Sequence, residues 1–141
     1  MMPAPVVLFA VVLLVLPMAY FLLQAPAFLL VKLEDPIASG LLRGMFDKYY
    51  LVLAIAGAVG AIAFGIEVRF VAAACVAAVA AFAMAARRWF LQRMDAELRA
   101  RDAGDQEAVR RLRRLHWGGM VCNVLQLAMV VASVPFIAEA P

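Results

Sequence analysis

Four long stretches of the chain carry no charged side chain, and nearly all the charge lies between them. The uncharged stretches are Met1–Val31, Tyr49–Ile66, Phe70–Ala86 and Leu115–Ala138. A helix that crosses a membrane needs about 20 apolar residues, with about 17 as the lower limit. The third stretch is the shortest, but Arg69 and Arg87 flank it and can extend their stems out of the bilayer. The pattern predicts a single membrane domain over residues 1–141, with spans at 4–31, 36–65, 68–102 and 106–137. The second begins as an interfacial helix. Asp35-Pro36 is an N-cap and first-turn pair, and Ile37, Leu41, Met45 and Phe46 then keep a helical period. Span one contains Pro17 and Pro26, one expected to kink it and the other to lie near its inner end.

The last span organises the rest. Its polar residues are not scattered: His116, Gly119, Asn123, Gln126, Val130 and Ser133 follow one another at spacings of 3, 4, 3, 4 and 3. That spacing draws one seam along a helix that crosses its neighbours at a shallow left-handed angle. In a bilayer such a seam must face protein, not lipid.

Charge sets the topology. The first connection carries Lys32, Glu34, Asp35, Arg43, Asp47 and Lys48, and the second only Glu67 and Arg69. The third, from Arg87 to Arg114, holds nine arginines and five acids, so twelve of the thirteen basic side chains fall in the first and third connections. The positive-inside rule puts those connections in the cytoplasm and both termini outside, which in a bacterial inner membrane is the periplasm. Tyr49, Tyr50, Trp89 and Trp117 fall at the cytoplasmic boundary, as an aromatic belt would. The third connection reads as helix. Glu97–Arg101, Asp95–Arg99 and Glu107–Arg111 are i,i+4 pairs, Gly104 suits a C-cap and Asp105 an N-cap. Helices three and four are therefore expected to extend into the cytoplasm as a hairpin turning at Ala103–Asp105. Arg87, Arg88, Arg110, Arg111, Arg113 and Arg114 would lie at the lipid headgroups, each attracted by about 1 kcal/mol.

Composition agrees with this picture. The chain has 141 residues, 67% of them hydrophobic, with a mean hydropathy of +0.94 and a net charge of +3. A soluble domain of this size is about half apolar. The fold class is all-α: a polytopic four-helix membrane bundle. The N-terminus lacks the basic start of a signal peptide, and its uncharged run is too long for one. Cys75 and Cys122 lie near opposite membrane faces, so no disulfide is expected between them.

Candidate chemistry is sparse. Gly57, Ala61 and Gly65 place small residues at four-residue spacing in span two, and span three has ten alanines among residues 72–86. Small faces let helix backbones approach closely in lipid. They serve packing within the chain, or a homo-oligomer or larger membrane complex. Gln24, counted from Lys32, and Asn123, counted from Arg114, come out at a similar depth of roughly 12–14 Å, which would let them meet. His116, Met120 and Cys122, with Met84 at similar depth, are a candidate set for a soft ion such as Cu(I), and no metal site is assigned. A haem held by two histidines is excluded within one chain, and no cofactor is legible. There is no nucleophile with a partnered base, no pair of intramembrane carboxylates and no phosphate loop. These absences lean away from an enzyme. The expected partner is membrane lipid, and no nucleic-acid partner is expected.

His-x-x-Gly-x-x-Cys-Asn opens the last span after a charged helix, at His116, Gly119, Cys122 and Asn123. Upstream, A-P-A-F-L-L-V-K-L leads to A-S-G-L-L-R-G-M-F-D-K-Y-Y. Together these resemble the transmembrane protein 205-like family, small four-helix membrane proteins grouped under a domain of unknown function. Pro26, Phe28, Gly40, Phe46 and Tyr49 or Tyr50 fit the family pattern in order, while Asp47 stands where the family tends to have proline. The resemblance implies four membrane helices, no assigned activity and a lean toward export or soft-metal handling. Three readings follow. The first is a non-enzymatic protein that binds or transports a small molecule or soft metal through His116, Asn123, Gln126 and Gln24. The second is an accessory subunit of a larger membrane complex. The third is a cofactor-dependent membrane enzyme.

Overall fold

The computed structural model describes residues 5–139, so the expected start of span one at residue 4 lies outside the described residues. Four long helices account for most of what is described: α1 (Pro5–Gln24), α2 (Pro36–Ile66), α3 (Phe70–Asp102) and α4 (Glu107–Glu139). A 3₁₀ turn, Ala25–Leu29, follows α1. All four helices are long and apolar enough to cross a membrane, and the described residues contain no strand. In sequence order α1 packs on α2, α2 on α3, α3 on α4, and α4 back on α1.

Each helix end has a local cause. Pro26 has no N–H to give the Leu22 carbonyl and its ring would crowd that carbonyl, so the α-helical ladder stops at Gln24 and tightens. Span one was expected to stay helical to residue 31; regular structure ends at Leu29 instead. The Asp35 carboxylate accepts from the Ile37 amide at 2.9 Å and starts α2. The helix then runs without a break from Pro36 through the apolar stretch to Ile66. The α2–α3 turn is closed by the Arg69 amide donating to the Phe64 carbonyl at 2.9 Å. Gly104 takes a positive φ of 95° between α3 and α4, and Asp105 accepts from the Glu107 amide at 2.9 Å. A residue with a Cβ is strained at that φ, which is why a glycine ends α3.

Buried positions on α1 are Val7, Ala10, Leu14, Met18 and Phe21, continued by Ala25 in the 3₁₀ turn. Their 3-and-4 spacing is one helical stripe. Leu8, Phe9, Leu16, Tyr20 and Leu23 face outward. The centre is aromatic: Phe21, Phe46, Tyr49, Tyr50 and Phe90 form one ring cluster, with Phe21 edge-on to Phe46 at 5.3 Å. Tyr49 and Tyr50 are therefore core residues and not members of an interfacial belt, because α2 turns its 46–49–50–53 face inward. Trp89 and Trp117 are half exposed.

Helices α2 and α3 approach closely through small residues. A Cβ added at Gly57 would stand 2.9 Å from the Ala80 Cβ and 3.1 Å from its amide nitrogen. One added at Gly60 would stand 3.1 Å from Val76 Cγ1. The small-residue contact thus runs through Gly57 and Gly60. Ala61 is half-buried beside it, and nothing lies within 4 Å of a Cβ at Gly65. In lipid, a close approach of this kind replaces the missing hydrophobic drive with van der Waals contact.

Candidate functional site

The seam of α4 meets the end of α1 and the middle of α2. Asn123 is buried and satisfied on both sides: Tyr49 Oη donates to its Oδ1 at 2.6 Å, and its Nδ2 donates to the Met18 carbonyl at 3.0 Å. One amide thus ties three helices together. His116, one heptad earlier, has no exposed surface. Its Nε2 lies 2.8 Å from the Ala25 carbonyl. A carbonyl only accepts, so Nε2 carries the proton and Nδ1 holds the lone pair. That lone pair has no partner among the described residues. The imidazole stands edge-on to Phe28 and Phe46, at 6.2 and 6.0 Å between centroids. Gly119 makes room for Phe46: a Cβ there would clash with the Cε1–Cζ edge of the ring.

Further along, Gln126 is buried and its Oε1 also lacks a partner among the described residues. Ser133 donates back to the Val130 carbonyl of its own helix at 2.7 Å. The seam therefore carries one satisfied amide between two unpaired acceptors, His116 Nδ1 and Gln126 Oε1. Ten residues separate the two, about 15 Å along the helix.

Gln24 does not join this site. It is exposed and donates to Tyr20 Oη, one turn earlier on α1. Counting inward from Lys32 assumed α-helical rise throughout. The 3₁₀ turn and the bend after it take up those residues without carrying Gln24 to the depth of Asn123. Ala25, the next residue, is level with His116, and Met18 is level with Asn123. Tyr49 reaches Asn123 instead, although its place beside the charged connection reads as interfacial.

The soft-ion candidates differ in placement. Met84 is 46% exposed on α3, away from the buried Ala83–Ala86–Phe90 face. Cys75 and Cys122 are free thiols. Met120 lies one turn from His116 and packs partly buried against the core. Among the described residues no three His, Cys, Asp or Glu side chains form a metal-holding group.

The arginines do more than line a surface. Arg113 donates to the Leu29 and Val31 carbonyls at 3.0 and 3.2 Å, and Arg101 to the Leu33 carbonyl at 3.2 Å. Both satisfy the backbone where span one ends, a region short of intrahelical donors. Arg87 pairs with Asp47, Arg110 with Glu107, and Arg111 with Glu97 and Asp105. Arg43 grips Asp95 through two parallel bonds, the second at 2.9 Å. The i,i+4 partners expected for Asp95 and Glu97 are thus replaced by partners on other helices. A fork-shaped guanidinium gains more from a carboxylate facing it across a helix interface than from one along its own exposed face.

No protein-family model, curated protein or solved structure matches the chain. Fold and site together define a four-helix bundle of membrane-crossing length, with a buried polar seam where α1, α2 and α4 meet.

Proposed function

We propose that the chain is a non-enzymatic multi-pass membrane protein of the inner membrane that binds a small ligand or soft metal ion at the inner end of the α4 seam, with His116 Nδ1 as the recognition group. The single observation that carries this is the unpaired Nδ1 of a wholly buried histidine whose other nitrogen is held by a backbone carbonyl. Buried polar atoms are almost always paired, and an orphan calls for a partner. A histidine held by a carbonyl at one nitrogen and open at the other is also how proteins orient an imidazole toward a metal. In this reading Asn123 locks the bundle and leaves recognition to His116.

The same reading places the α3–α4 hairpin in the cytoplasm and both termini in the periplasm, supported by the charge asymmetry of the connections. It also keeps the kinship with the transmembrane protein 205-like family. Of the residues that carry the resemblance, Phe28, Phe46, Tyr49, His116, Gly119 and Asn123 lie together in this region, whereas Gly40 is exposed on α2.

The test is a Cu(I) titration and native mass spectrometry of the full-length protein in mild detergent, with His116→Phe alongside. The wild type should take up one equivalent of Cu(I) or carry a co-purified non-lipid mass, and the variant neither. Equal uptake by both proteins, or no uptake and no added mass in the wild type, refutes the proposal.

A further inference from the structure

Beside the hairpin, α3 and α4 leave a groove of about 390 Å³. One end is charged, lined by Arg93, Glu97, Arg111 and Arg114. The other end is apolar, formed by Trp89, Phe90, Leu115 and the bare backbone of Gly118. We propose that this groove binds an anionic phospholipid, its phosphate on Arg93 and Arg114 and an acyl chain against Trp89, Phe90 and Leu115.

Charge is the first argument. Three guanidinium groups face one carboxylate, and Arg111 occupies that carboxylate at 2.8 Å while also holding Asp105. Arg93 and Arg114 have no carboxylate within ion-pair distance among the described residues. Arg93 is held against the wall instead, its guanidinium 5.5 Å from the centroid of the Trp89 ring. Two guanidinium forks without carboxylates suit a phosphate, which they can grip bidentately.

Polarity along the groove is the second argument. In the antiparallel hairpin, Glu97 and Arg111 lie toward the turn, and Phe90 and Gly118 lie toward the apolar halves of the helices. Seven residues separate the two levels, about 10 Å. A lipid in the adjacent leaflet has the same order, charge outward and hydrocarbon inward. A free phosphate would use only the charged end and leave the aromatic end exposed. The inference rests on the chain being a membrane protein with this hairpin at the interface, and it does not depend on any ligand at His116.

The experiment titrates the full-length protein in neutral detergent with dioctanoyl phosphatidylglycerol, following tryptophan fluorescence and native mass spectrometry. Dioctanoyl phosphatidylcholine and inorganic phosphate are the comparison ligands. One phosphatidylglycerol should bind per chain. The pair Arg93→Gln and Arg114→Gln should weaken binding at least tenfold. The pair Arg88→Gln and Arg99→Gln, on exposed arginines outside the groove, should weaken it less than twofold. Gly118→Leu keeps every charge, and its Cβ meets nothing within 4 Å, so it fills the apolar end without clash and should abolish binding. Equal loss in the two arginine pairs overturns the proposal, since that is general surface attraction. Binding of phosphatidylcholine or inorganic phosphate as tight as that of phosphatidylglycerol also overturns it, as does undiminished binding by Gly118→Leu. The last result decides the matter even if an arginine pair fails to fold.

Discussion

Replacing Asn123 by Leu removes two interhelical hydrogen bonds and leaves the Tyr49 hydroxyl buried without an acceptor. Each interhelical bond in a membrane protein contributes about 0.6 kcal/mol on average and rarely more than about 1.7. The stranded hydroxyl adds about 1–3 kcal/mol. The Met18 carbonyl lies inside α1 and keeps its place in the helical ladder, so it adds little. Asn123→Leu should therefore cost roughly 2–4 kcal/mol, more than the lost bonds alone. The excess is separable. Tyr49→Phe on top of Asn123→Leu removes the stranded hydroxyl and should recover at least about 1 kcal/mol. Reversible unfolding of the four proteins of this cycle in mixed micelles gives the coupling directly. Strictly additive costs, or a double variant less stable than Asn123→Leu, would mean that the 2.6 Å contact between Tyr49 and Asn123 does not hold the bundle.

Three further outcomes are expected. Gly57→Leu should lower stability by about 1–3 kcal/mol through overpacking against Ala80, whereas Gly65→Leu, with open space, should be close to neutral; equal effects in detergent melts would refute the assigned contact. In a background without native cysteines, a cysteine at 103–105 should be shielded from an impermeant thiol reagent in intact cells, and one beside Glu67 should react; the opposite pattern would invert the topology. Arg43, chiefly through its hydrogen bonds, holds the Asp95 carboxyl below the usual carboxylate range. A depressed folded value means stability present above roughly pH 4 and lost as pH falls through that value. With both side chains more than a third exposed, the gain is about 1 kcal/mol or less. Asp95→Asn should thus be less stable than wild type at neutral pH and equal to it in acid; a gap that persists in acid would remove the ion pair as its cause.

Helix number and approximate bounds were legible because uncharged runs and capping residues report directly on where a helix can cross and stop. The burial of His116 and Asn123 was legible for a related reason: a period of 3.5 on an apolar helix leaves one face for polar groups. Partners were harder to read. Asn123 bonds to Tyr49, 74 positions away, and to the Met18 backbone, whose identity carries no signal. Gln24 looked like a partner because depth was counted as if every residue rose like an α-helix, and Pro26 broke that count. The charged connection misled in another way. Its i,i+4 spacings are real, but the carboxylates had arginines facing them on α2 and α4, and a pattern read along one helix cannot see across an interface. Pro26 held the useful hint, since a proline near the inner end of a span weakens the assumption of regular rise beyond it.

The contrast between Gln126 and Asn123 tests the meaning of the seam most directly. Both are buried amides on α4, one turn apart, and replacement by Leu changes the chemistry in nearly the same way. Their surroundings differ. Asn123 is bonded on both sides, whereas Gln126 Oε1 has no partner among the described residues. A buried acceptor without a donor costs about 1–3 kcal/mol, and replacing it with an apolar group of similar size removes that cost. Gln126→Leu should therefore leave stability unchanged or raise it by about 1 kcal/mol, while Asn123→Leu lowers it. A Gln126→Leu variant as destabilised as Asn123→Leu would show that Gln126 has a structural partner and that the seam is packing from end to end. A variant that is stable but no longer binds what His116 binds would extend the recognition site along α4 by the full ten residues between the two unpaired acceptors.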